Sequence, residues 1–134
     1  MTATPDAVAS VRLDTVVLDC PDPAALAGFY SGLLGRPVDP GGDATWQSLA
    51  DGGSGVTLAF QRADRYVAPS WPDGVPQQVH LDLTVNDMAA AHARVVELGA
   101  VLLDPQAAPR ATESRAFRVY ADPAGHPFCL CLCR

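Results

Sequence analysis

The chain repeats itself. Residues 15–35 read TVVLDCPDPAALAGFYSGLLG, and residues 80–99 read HLDLTVNDMAAAHARVVELG. Each stretch passes from an apolar run to an Asp, then to an Ala/Leu-rich segment, and ends on Leu-Gly. Thr15 aligns with His80 and Asp22 with Asp87. The register slips by one after Asp22, because Pro23 has no counterpart, so Gly35 matches Gly99. A unit of about 65 residues buries too little surface to stand alone, so the two halves are expected to pack as one pseudo-symmetric domain.

Local signals place the elements. Residues 1–10 read as a loose tail, and residues 12–19 form a β-branched strand. Asp22-Pro23 is an N-cap followed by proline at the first helical position. Leu26, Phe29, Tyr30, Leu33 and Leu34 keep helical spacing, and Gly35 supplies the stop. Strands are expected near 44–50 and 55–61, joined by the Asp51-Gly52-Gly53 turn. Residues 62–78 are a connector kept extended by Pro69, Pro72 and Pro76, with Trp71 in its middle. The second half repeats the plan: a strand over 79–85, a cap at Asp87, a helix over 88–98, a stop at Gly99 and a strand near 100–103. A loop over 104–114 and a hairpin of 115–121 and 127–133 complete it, turning at Asp122-Pro123-Ala124-Gly125. Each half therefore reads βαβββ, giving an α+β domain of modules about 11–66 and 76–134.

Composition narrows the partners. The net charge is −6 with no lysine, so all nine basic residues are arginine. Nucleic acid and anionic membrane surfaces both call for a basic face, which argues against either partner. No apolar run approaches the roughly 20 residues of a membrane span. The start MTATPDAVAS lacks the basic and apolar segments of an export signal, so a cytoplasmic location and free cysteines are expected.

Chemistry-bearing residues gather on the first and last strands of the second half. His80, Asp82 and Thr84 alternate with Leu81, Leu83 and Val85. The apolar set should pack under a helix, which turns the polar set toward a cavity. A His beside an Asp on such a face suits a hydrogen-bonding ligand or a general base, and equally suits a purely structural pairing. Cys129, Cys131 and Cys133 share one strand face and read as small apolar residues, since no Lys or Arg along their strand activates them. Trp46 suits either stacking on a ligand or core packing, whereas Trp71, in the Pro-rich connector, suits a lid. Phe29 and Tyr30 belong to the core, His92 reads as solvated near Glu97, and His126 reads as structural in the hairpin turn.

The segments VVLDCPDPAALAGFYSGLLG (16–35), HLDLTVNDMAAAHARVVELGA (80–100) and DPAGHPFCL (122–130) resemble the vicinal-oxygen-chelate superfamily. That superfamily includes glyoxalase I, bleomycin-resistance proteins, fosfomycin-resistance enzymes and extradiol dioxygenases. The resemblance covers nearly the whole chain and is nearest to the small glyoxalase-like domain proteins. It implies paired βαβββ modules curled into a concave half-barrel with helices outside, and a homodimer. In metal-using members of that superfamily one ligand comes from each of four strands, often His at the first strand of each half and Glu at the last. Those positions map to Thr15, Thr57, His80 and Cys129, with Thr57 placed by matching VTLAF (56–60) to FCLCL (128–132).

Only His80 is a usual ligand in that set. Catalytic zinc normally takes three protein ligands of His, Asp, Glu or Cys type, and magnesium prefers carboxylates. His80 with Cys129 gives two, and Asp82 on the same strand face supplies a third in an arrangement foreign to the superfamily. No cofactor is therefore expected, and a divalent metal is disfavoured. The leading expectation is a metal-independent small-molecule-binding protein whose ligand meets His80, Asp82, Trp46, Trp71, Thr15 and Cys129. The alternative is a lyase, isomerase or dioxygenase-like enzyme that uses a re-formed metal site, or His80 and Asp82 as acid and base.

Overall fold

A computed structural model describes residues 10–53 and 55–132. The expected tail over residues 1–10 lies almost wholly outside the described residues, as does Cys133. The chain runs β1 (Thr15–Cys20), α1 (Pro23–Leu34), β2 (Trp46–Ser48), β3 (Thr57–Arg62), β4 (Leu81–Val85), α2 (Met88–Leu98), β5 (Val101–Asp104), β6 (Phe117–Ala121) and β7 (Pro127–Leu132). The strands form two open sheets, ordered β1-β3-β2 and β4-β7-β6-β5. In each, the first strand of the half pairs parallel with the last, and the remaining pairs are antiparallel. The halves differ in one element. Where the second half has β5, the first has only an isolated bridge between Val38 and Leu49.

The helix ends follow from the sequence. Asp22 accepts from the Ala25 amide at 3.3 Å, and Asp87 accepts from the Ala90 amide at 3.0 Å. Each carboxylate thereby satisfies a donor that the first turn leaves unpaired. Gly35 and Gly99 close the helices at φ 67° and 116°, a backbone that a Cβ would strain. The helices meet at Gly32, where an added Cβ would sit 3.1 Å from Leu98 Cδ2. Arg94 reinforces that approach by donating to the Gly32 carbonyl.

One core serves both halves, as their small size requires. Val16, Leu18 and Cys20 of β1 face it, as do Leu81, Leu83 and Val85 of β4. Aromatic rings join the two sides: Tyr30 stacks on Phe60 at 5.7 Å and meets Phe29 edge-on, which reaches Phe128 at 5.9 Å. Phe128 in turn stacks on Tyr120 at 5.6 Å. The apolar run over 128–132 therefore has an internal explanation. β7 lies between β4 and β6, with Phe128 and Leu130 fully buried, so its composition serves the core and is not a sign of an exposed contact surface. His92 also departs from the solvated reading: its Nδ1 lies 2.9 Å from the Tyr120 hydroxyl. Burial, and then the Arg118 charge, hold its pKa below the usual value. No helix among the described residues is long and apolar enough to cross a membrane.

Candidate functional site

The period-two alternation of β4 and β7 fixes what lies on the face away from the helices. Leu81, Leu83, Phe128 and Leu130 turn into the core, which leaves Asp82 opposite Cys129 on the outer face. His80 precedes β4 on the same face. The donor atoms of His80, Asp82 and Cys129 all lie within 4.8 Å of one another. His80 Nε2 stands 3.4 Å from Asp82 Oδ1. A cavity of about 190 Å³ opens here, lined by His80, Cys129, Phe117, Val119, Gln77 and Trp71. The structure thus brings Trp71, His80 and Cys129 to one cavity.

Two properties of the cluster set its chemistry. The His80 and Asp82 side chains are 45% and 62% exposed, so the pair is a surface pair and not a buried one. An exposed pair of this kind is worth about 0–1 kcal/mol. Cys129 is partly buried, and burial first, then the Asp82 carboxylate, push its thiol pKa up to about 12. A protonated thiol is a poor nucleophile, so covalent catalysis by Cys129 is disfavoured.

The other expected residues lie elsewhere. Thr15 donates its hydroxyl to Asp14 at 2.7 Å and lines no part of the Trp71 cavity. Thr57 donates to the Leu49 carbonyl at 2.7 Å. The sheet register also corrects its assignment. Asp82 is paired with Cys129, and its counterpart Val17 is paired with Ala59. The position equivalent to Cys129 is therefore Ala59, two residues beyond Thr57. Matching VTLAF to FCLCL by hydropathy alone misplaced the register. Trp46 is 39% exposed on the edge strand β2, so it does not fill the core; it lies opposite Gln61 in the first sheet and does not line the His80 cavity.

A second polar cluster ties the halves together. Asp122, whose side chain is fully buried, accepts the Tyr30 hydroxyl at 2.7 Å and the Ala124 and His126 amides. Its Oδ2 lies 2.8 Å from His126 Nδ1, and His126 Nε2 lies 2.8 Å from the Asp19 carbonyl. Tyr66 donates to the Ala124 carbonyl at 2.8 Å. This clasp forms one wall of a second cavity, of about 360 Å³, between β1 and the connector. Its lining includes Val17, Asp19, Arg65, Val67 and Gln77, none of which the sequence reading singled out. The alternation of Thr15, Val17 and Asp19 was the available signal, since it puts all three on the outer face of β1.

The four-strand metal arrangement of the superfamily does not fit this chain. Its four corners hold Thr15, Ala59, His80 and Cys129, so one corner has no donor at all and another has a hydroxyl engaged with Asp14. The three second-half donors are all that remains.

Paired modules of this kind, with parallel first and last strands and an open outer face, define the vicinal-oxygen-chelate class. The match to that class is direct: residues 15–131 fit the family described as "Glyoxalase-like domain". The chain belongs to this family. Among solved structures it is similar to a possible glyoxalase from Bacillus cereus (14% identity, 91% of this chain and 99% of that one, TM-score 0.64). It is also similar to a glyoxalase/bleomycin resistance protein/dioxygenase family enzyme from Burkholderia phytofirmans PsJN (18%, 91% and 98%, TM-score 0.63). A third is the fosfomycin resistance protein FosX from Mesorhizobium loti (14%, 95% and 94%, TM-score 0.60). At these identities the likeness concerns the fold. No curated protein matches the sequence.

Proposed function

We propose that the protein binds a small organic molecule without a metal, against the outer face of β4 and β7. The observation that carries this reading is the meeting of Trp71, His80 and Cys129 at one cavity, while the equivalent first-half corner offers only Thr15 and Ala59. Trp71 and Phe117 supply apolar surface, and the His80–Asp82 pair supplies orientation through hydrogen bonds. At about 190 Å³ the cavity falls below the roughly 300–1,000 Å³ usual for drug-sized ligands, which favours a single-ring molecule or one arm of a larger one. The bleomycin- and fosfomycin-resistance proteins among the structural neighbours make antibiotic sequestration one use of such a site.

A homodimer is part of the same proposal. Trp46, Val101 and Phe117 stay exposed on the sheets, the kind of apolar surface that a second copy covers. Light scattering at micromolar concentration checks this, with a monomer as the contrary result.

One observation favours a second reading. The His80, Asp82 and Cys129 donors stand close enough to share a soft divalent cation, which would support lyase, isomerase or dioxygenase-like chemistry. A thermal-shift screen of phenols, amides and small organic acids, run with EDTA and repeated with added Zn²⁺, separates the two. Binding that survives EDTA and weakens in Trp71→Ala supports the first reading. Binding that appears only with Zn²⁺ and is lost in His80→Ala supports the second.

A further inference from the structure

The cavity between β1 and the connector shares Gln77 with the His80 cavity and adds charged groups of its own. At about 360 Å³ it falls inside the usual range for small-molecule sites. Gln77 Oε1 is buried with no hydrogen-bond partner. A buried acceptor left unpaired is costly, so it marks a place where a donor belongs. Arg65 and Asp19 also line the cavity. Among the described residues neither makes an ion pair, with each other or with any other group. The remaining wall is apolar through Val17 and Val67, which are 41% and 67% exposed.

The cavity is held in shape before anything binds. His126 is fixed at both ring nitrogens, by Asp122 and by the Asp19 carbonyl, and Tyr66 is fixed to the Ala124 carbonyl. Both belong to the wall. A preformed site loses less to ordering on binding.

We propose that this cavity binds a small zwitterion with an apolar side group, of the α-amino-acid class. Its carboxylate meets Arg65, its ammonium donates to Asp19 and Gln77 Oε1, and its side group covers Val17 and Val67. One cation, one anion and one buried acceptor around an apolar wall match that ligand class group for group. A simple organic acid leaves Asp19 and Gln77 unanswered, and a simple amine leaves Arg65 unanswered.

Amide NMR titrations of ¹⁵N-labelled protein test this with three probes: L-phenylalanine, phenylalanine amide without the carboxylate, and 3-phenylpropionate without the ammonium. L-phenylalanine is expected to shift resonances around residues 17–19, 65–67 and 77–79. Each truncated probe should bind about tenfold more weakly, as should L-phenylalanine to Arg65→Gln and Asp19→Asn, because each change removes one charge-assisted contact. Gln77→Leu should weaken L-phenylalanine and leave 3-phenylpropionate unchanged. Thermal melts of the variants confirm that they fold. Equal binding of all three probes, shifts at Phe117 and Cys129 with none at residues 17–19 and 65–67, or no shift at millimolar probe would each overturn the proposal.

Discussion

The two halves share a backbone plan and differ in what they place on it. Both helices start at an aspartate cap and stop at a left-handed glycine. Both first strands pair parallel with both last strands. Yet at equivalent positions the first half carries Thr15, Val17 and Ala59 where the second carries His80, Asp82 and Cys129. Fold symmetry constrains caps, stops and the core-facing row of each strand. The outer row is free of those demands, and among the described residues it is the second half that brings three His, Asp and Cys donors within 4.8 Å of one another. A duplicated fold thus needs only one of its two outer faces to hold a site of this kind.

The largest effect is expected where the halves are joined. Asp122→Ala removes the buried carboxylate shared by Tyr30 and His126. Leaving buried hydrogen-bond donors unpaired costs about 1–3 kcal/mol each, read as a lower denaturant midpoint. A loss below about 1 kcal/mol would mean that the clasp is not what couples the halves.

Next come the shared features. Asp22→Ala and Asp87→Ala should each cost about 1 kcal/mol, and nearly the same amount, because each deletes one cap hydrogen bond. Chemical denaturation of the two variants side by side measures this. A gap of more than about 1 kcal/mol would break the symmetry argued here.

The donors that differ should matter little to folding. Asp82→Ala is expected to change stability by less than about 1 kcal/mol, because the His80–Asp82 pair is largely exposed. Thermal and denaturant melts check it, and a large loss would recast the pair as structural.

The smallest effect is a pH slope. Burial keeps the His92 pKa in the folded protein below its value of 6.5 in an open chain. The unfolded state therefore binds more protons as pH falls below about 6.5, and stability declines from there down to the folded pKa. His92→Gln keeps a polar group near Tyr120 without that titration. Its melting temperature should lose less than the parent's between neutral and mildly acidic pH. An unchanged slope would assign the pH dependence elsewhere.

Much of the fold was legible because its signals are local. Asp22-Pro23, Gly35, Asp87 and Gly99 mark helix ends through backbone geometry alone, and period-two alternation marks the strand faces. The reduction of one first-half strand to the Val38–Leu49 bridge leaves no comparable trace in the sequence. The site was legible only in part. His80, Asp82 and Cys129 come together because His80 and Asp82 lie at the start of β4 and Cys129 lies on the neighbouring β7. Thr57 was misplaced because hydropathy matches VTLAF to FCLCL equally well in a shifted register, and only hydrogen-bonded pairing distinguishes Ala59 from Thr57. His92 was misread because its partner, Tyr120, is remote in sequence. The connector cavity was missed for the same reason, since Asp19, Arg65, Gln77 and His126 meet only in three dimensions.

The donors of the second half are proposed to act without a metal. Elemental analysis of protein purified without chelator distinguishes this from a resident metal site. Zn, Ni, Mn and Fe are each expected far below one atom per chain, in the parent and in His80→Ala alike. About one atom of any of them per chain in the parent, lost in His80→Ala, is the stoichiometry of a resident site and would contradict it.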